Sequence, residues 1–162
     1  MFNNLFYDEA TRLTRIPTQH ELWNAYLILH PQYKDLPEHY YLALKYRCDK
    51  AYPSFVRDLH FALYLKTKSK NAKVLYNVDV DSKQGIDLLI EFKGTFFAIN
   101  LFVDTDDSLY RRTLKKKRHD DYSNVRAIDL PLNLNKANNI GTYNLYGENQ
   151  YNELVVKIQE WL

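Results

Sequence analysis

Two groups of residues in this 162-residue chain have the types and spacing for chemistry. The first is acidic. Ile86, Leu88, Ile90 and Phe92 alternate with Asp87, Leu89 and Glu91, and beyond Lys93 and Gly94 lies an almost wholly apolar run, TFFAINLFV, over 95–103. A two-residue Lys93-Gly94 turn sets Phe92 opposite Thr95, Glu91 opposite Phe96 and Leu89 opposite Ala98. The same count sets Asp87 opposite Asn100 on one face of the sheet. A carboxylate beside a side-chain amide within a covered sheet needs hydrogen bonds, a cation or a water-filled cleft. The competing reading is a strand nearer the sheet edge, with Asp87 solvated. The second group is basic: Arg111, Arg112, Lys115, Lys116, Lys117 and Arg118 place six cations in eight positions, flanked by Tyr110 and His119. On a helix they spread over more than half the circumference, suited to phosphate contacts. The alternative is a solvated face paired with Asp106, Asp107, Asp120 and Asp121.

Other chemistries find less support. The histidines at 20, 30, 39, 60 and 119 make neither HExxH nor an HxxxH pair, and Cys48 is the sole cysteine, so thiolate zinc sites and redox CxxC pairs are excluded. No GxSxG occurs, and four scattered glycines cannot build a phosphate-cradling loop. Cys48, on an apolar stripe, reads as core. Tyr33, Tyr40, Tyr41, Tyr46 and Tyr52 could stack bases, yet their helical spacing favours packing, either within the chain or against a second subunit.

Those residues need elements to hold them. Thr18 and Glu21 form a capping box for a helix carrying Leu22, Trp23, Tyr26 and Leu29, ending at Pro31. A second helix is expected from Pro37, with Tyr40, Tyr41, Leu44 and Cys48 on its apolar stripe. A third is expected after Pro53, with Ser54 as N-cap and Phe55, Leu59, Ala62 and Leu63 facing inward. The polar stretch KTKSKNAK, residues 66–73, reads as a loop. Strands are expected at 74–80, 86–92, 95–103 and 125–130, the last stopped by Pro131. Asp106 and Asp107 cap the basic helix, and a final helix from Asn149 carries Leu154, Val155, Ile158, Trp161 and Leu162 on one stripe.

With 46% apolar and 26% charged residues and a net charge of +2, the chain has the make-up of an ordinary globular domain, and any attraction for polyanions must come from local clustering. The expectation is a soluble, cytoplasmic protein in a reducing compartment, without a membrane span or signal peptide.

The order of elements from residue 54, Asp87 in GID at 85–87 and a third strand following it resemble the PD-(D/E)XK nuclease superfamily. The resemblance covers residues 54–130. It implies an α/β fold: a three-layer restriction-endonuclease-like core (αβββαβ, mixed sheet) over 53–162, with an N-terminal helical extension over 1–52. Active members carry an Asp on strand 2 and (Asp/Glu)-X-Lys on strand 3 to hold Mg. Here Asp87 matches the first acid, Asn100-Leu101-Phe102 stands in place of the second motif, and Asp58 matches the acid many members carry on the first core helix. The resemblance therefore implies catalytic positions Asp87, Asn100 and Asp58, with Asp87 the metal position. It further implies a nucleic-acid-binding protein, inactive or altered as a nuclease, that contacts DNA more readily than RNA through Arg111, Arg112, Lys115, Lys116 and Arg118. No cofactor is expected, or Mg if the site is active. Two alternatives stand beside this: an active Mg-dependent nuclease using Asp58, Asp87 and Asn100 with Lys115 or Lys116, and a non-catalytic interaction subunit. A protein partner or a homodimer through the N-terminal aromatic helices is also open.

Overall fold

The computed structural model describes residues 2–76, 86–116 and 125–162, and for Arg111, Arg112, Leu114, Lys115 and Lys116 only their place in the backbone. It divides into two compact units, Met1–Val56 and Arg57–Leu162.

In the first unit, α1 (Phe2–Leu13), a helix not foreseen from the sequence, buries Leu5, Phe6 and Tyr7. Helix α2 (Gln19–Leu29) begins with the expected capping box: Thr18 Oγ1 accepts from the Glu21 N–H at 3.2 Å, and the Glu21 carboxylate accepts from the Thr18 N–H at 2.8 Å. Leu22, Trp23, Tyr26 and Leu27 are buried, whereas Leu29 is exposed, because the inward stripe turns at Leu27 and not at Leu29. A 3-10 turn follows at Pro31–Asp35.

Aromatic packing fills this unit. Tyr26 stacks on both Trp23 and Tyr33 with centroids 5.7 Å apart, the Trp23 indole N–H donates to Tyr41 Oη at 3.0 Å, and the Tyr52 hydroxyl donates to the Pro17 carbonyl at 2.6 Å. Tyr40 and Tyr46 are exposed.

Helix α3 (Glu38–Lys68) corrects the expectation of two helices: it runs through Pro53, so Ser54 is not an N-cap and the expected 52/53 division falls inside a helix. Proline in a helix interior leaves the carbonyl four residues earlier without its N–H donor. That carbonyl belongs to Asp49, and Gln19 Nε2 donates to it at 3.4 Å. Leu63, expected inward, is exposed, and Phe61, Ala62 and Leu65 face the core instead.

The second unit is α/β. Its sheet has the order β1-β2-β3-β4, with β1 (Ala72–Leu75), β2 (Leu88–Phe92) and β3 (Thr95–Val103) antiparallel and β4 (Arg126–Leu132) parallel to β3. Such a parallel pair needs a crossover connection, and α4 (Asp106–Lys116) lies within it. The Thr105 hydroxyl, and not Asp106, accepts from the Ser108 N–H at the start of α4; the two aspartates occupy its first turn, where they favour the positive end of the helix dipole. Pro131 does not stop β4. It pairs in register with Phe102, and as β4 is an edge strand the missing N–H costs no ladder hydrogen bond on the open side.

A short hairpin, β5 (Asn138–Ile140) with β6 (Tyr143–Leu145), and α5 (Glu148–Gln159) complete the unit. Of the expected final stripe, Leu154 and Ile158 are buried, while Trp161 and Leu162 lie past the helix end and are exposed. One sheet face, built from Val74, Leu88, Ile90, Phe97, Ile99, Ile128, Leu130 and Leu132, packs in a single core with Phe61 and Leu65 of α3 and Leu154 and Ile158 of α5. Most of the strand expected at 74–80 lies outside the described residues. None of the helices described is long and apolar enough to cross a membrane.

Candidate functional site

The β2–β3 register is the one the turn dictates. Lys93 and Gly94 have φ of 50° and 76°, the pair of left-handed residues of a two-residue hairpin, and Phe92 faces Thr95, Glu91 faces Phe96 and Leu89 faces Ala98. Ladder pairing ends at Leu88 and Ile99, one residue short of Asp87 and Asn100. There the Asp87 side chain takes over from the backbone: its Oδ2 accepts from the Leu101 N–H at 2.6 Å, satisfying a strand donor beyond the last paired residues. A carboxylate that accepts a backbone N–H is favoured in its charged form.

Asn100 turns to the other neighbour. In the parallel β3–β4 register it stands beside Asp129, and its Nδ2 donates to Asp129 Oδ1 at 3.0 Å. Asn100 and Asp129 thus stand side by side on adjacent strands, on the face opposite the apolar core, with Asp87 just before β2; all three are half-buried. Asp129 was not singled out in the sequence. Its signal is there in the RAIDL alternation, where an acid sits between the inward Ile128 and Leu130.

Asp58 lies in the part of α3 that carries Phe61, Ala62 and Leu65 to the core, and it is half-buried. The Tyr146 phenol meets the sheet nearby. Tyr146 is 1% exposed, and its hydroxyl donates to the Phe102 carbonyl at 3.1 Å and also lies 3.4 Å from the Leu130 carbonyl. Its pKa is pushed far above the ordinary phenol value, first by burial and then by the negative charge of Asp58. Asp87 pushes the same way, and Arg57 opposes. Asp58 and Asp87 are therefore both close enough to act on one buried hydroxyl. Asn100 is engaged with Asp129.

The carboxylates of Asp58, Asp87 and Asp129 and the Asn100 carbonyl are hard oxygen donors of the kind Mg takes. Among the described residues no three His, Cys, Asp or Glu side chains gather as a metal-holding group. Phe102 is half-buried and gives its carbonyl to Tyr146.

Of the basic group, Arg111, Arg112, Lys115 and Lys116 belong to α4, and their side chains lie outside the described residues, as does Arg118 entirely. The lysines of the expected 66–73 loop divide: Lys66 and Lys68 end α3, and Lys73 in β1 lies 4.0 Å from Glu91 of β2. His60 is half-buried, its Nδ1 has no hydrogen-bond partner among the described residues, and burial lowers its pKa. Cys48 is buried, its thiol pushed up to about 11 by desolvation, which leaves it protonated and unreactive at neutral pH.

Compared with known protein families, curated proteins and solved structures, the chain matches none.

Proposed function

We propose that residues 57–162 are a nucleic-acid-binding core of the PD-(D/E)XK nuclease type that has lost cleavage. The fold supports this reading through its order of helix, three antiparallel strands, helix and a fourth strand parallel to the third, with an acid just before β2. The observation that carries the loss of cleavage is the fate of the strand-3 position. Asn100 gives its amide to Asp129, Leu101 gives its N–H to Asp87, and Phe102 supplies no cation, so the strand-3 position offers neither the acid nor the lysine that the superfamily sets around Mg. Nucleic acid is held by Arg111, Arg112, Lys115, Lys116 and Arg118, whose density on one stretch of chain suits neutralisation of successive phosphates. Binding is sequence-tolerant and favours DNA over RNA.

A second reading is favoured by one observation, the hard oxygen donors of Asp87 and Asn100 next to one another at the end of the β2–β3 ladder. It makes the chain a Mg-dependent nuclease with a rearranged site. Incubating the protein with labelled single- and double-stranded DNA and RNA, with Mg, Mn or chelator, separates the two. A mobility shift with intact strands supports the first; metal-dependent cleavage abolished by Asp87→Ala supports the second. Neither shift nor cleavage removes both.

A further inference from the structure

On the core side of the sheet, towards the Lys93–Gly94 end, the second unit contains a cavity of about 350 Å3 that no part of the nuclease-type reading uses. Leu65 of α3, Val74 of β1, Ile90 of β2, and Leu154 and Ile158 of α5 line it, all of them members of the buried core. Its size falls within the range of small-molecule sites, about 300 to 1,000 Å3, and its apolar interior with polar groups at one side is the usual pattern of such sites. The polar side is the turn between α3 and β1, where Lys68, Ser69, Lys70 and Asn71 reach the cavity.

The charge there has one sign. No Asp or Glu is among the described residues that line the cavity. Lys68 is held by Glu148 at 2.8 Å, whereas Lys70 is exposed and makes no ion pair among the described residues. Lys66 and Lys68, in the last turn of α3, offset the negative end of that helix. A ligand entering past this turn meets an unneutralised ammonium first and hydrocarbon beyond it. The apolar part of the lining makes no hydrogen-bond demand along the ligand body, and Tyr151 and Gln159 of α5 also border it.

We infer that this cavity binds a medium-length alkyl carboxylate, its chain against Ala72, Phe92, Val155 and Ile158 over a floor of Leu65, Val74, Ile90 and Leu154, and its carboxylate at Lys70. The site lies away from Asp87, Asn100 and Asp129, which stand towards the opposite end of β2 and β3, so it holds whether or not the chain binds nucleic acid.

The test is calorimetric titration of the full chain with decanoate below its aggregation concentration, alongside decanol and decyltrimethylammonium, with thermal unfolding as a second readout. Decanoate is expected to bind one per chain and to raise the unfolding temperature. Decanol should bind more weakly and decyltrimethylammonium should not bind. Lys70→Glu, a surface change, should weaken decanoate about three- to ten-fold, the scale of an exposed charge contact reversed. Ala72→Phe, which projects a ring into the cavity, should abolish binding; if that variant does not fold, Lys70→Glu and the head-group series still decide. The inference is overturned if decanoate does not bind, if the three head groups bind alike, or if Lys70→Glu leaves the affinity unchanged.

Discussion

The Asn100 side-chain amide donates to the Asp129 carboxylate at 3.0 Å, across a pair of parallel strands. An amide here serves the sheet: it is a neutral donor to an acid that is itself half-buried. Replacing it by a second acid sets two carboxylates face to face, and like charges at hydrogen-bond distance cannot both ionise without cost. Asn100→Asp should lower stability at pH 7 by about 1–3 kcal/mol. The deficit should shrink as pH falls below the ordinary carboxyl range, about 4, and should be partly reversed by Mg, which the new acid helps to bind. Urea unfolding at pH 7 and pH 4, with and without Mg, checks all three parts. Cleavage is not restored with the metal, because Phe102 still offers no cation.

Tyr146 joins β3 to β4 just beyond that pair. Tyr146→Phe keeps the ring in the core against Phe61 and removes only the hydroxyl, leaving the buried carbonyls of Phe102 and Leu130 without this donor. The expected loss is about 1–3 kcal/mol, seen as a lower urea midpoint at unchanged slope. An unchanged midpoint would mean that water replaces the hydroxyl without penalty.

The hairpin offers a gain. Lys93 sits at φ 50°, a left-handed conformation costly for a side chain without a local hydrogen bond, and it precedes Gly94 in a two-residue turn. Lys93→Asn supplies the Asn-Gly pair such turns favour and should stabilise by about 0.5–1 kcal/mol in thermal or urea unfolding. Gly94→Ala, at φ 76°, should destabilise by a similar or larger amount.

Glu21 gives a pH signature in the first unit. The Arg15 guanidinium grips its carboxylate with bonds of 2.6 and 2.9 Å and the Thr18 N–H adds a third, holding its pKa down to about 2 against an ordinary 4.5. A depressed carboxyl pKa contributes stability that is fully present above the unfolded value of 4.5 and is lost as pH falls through about 2. Carbon-detected NMR titration of Glu21 should give a midpoint well below 4.5, moving back towards it in Arg15→Gln. A midpoint at the ordinary glutamate value in the wild type would show that the fork does not persist in solution.

How much of this could be read from the residues depends on what fixes each contact. The β2–β3 register, from Phe92 opposite Thr95 to Leu88 opposite Ile99, was legible because a two-residue turn leaves one register, and a slip of one residue would turn Leu88 and Ile90 out of the core. The Asn100–Asp129 contact was not, because β3 and β4 are joined by a crossover whose length sets no register. Helix punctuation misled at Pro53, where Gln19, distant in sequence, satisfies the carbonyl the proline frees. It misled again at Pro131, which only an edge strand tolerates, and edge position is a property of the sheet. Tyr146 carried no local signal: its role comes from the two carbonyls it meets and from the acids at Asp58 and Asp87, all remote in the chain.

The central claim, binding without cleavage, is tested most directly by fluorescence anisotropy of a labelled DNA duplex titrated with the chain in Mg across a range of salt, with the recovered duplex then run on a denaturing gel. The account predicts sequence-tolerant binding that weakens linearly with the logarithm of salt concentration, loses about one unit of slope for each phosphate contact removed among Arg111, Arg112, Lys115, Lys116 and Arg118, and leaves the strands intact. Binding and slope unchanged by charge reversal at Arg112 and Lys116, or strands cut in Mg by the wild type and not by Asp87→Ala, would contradict it.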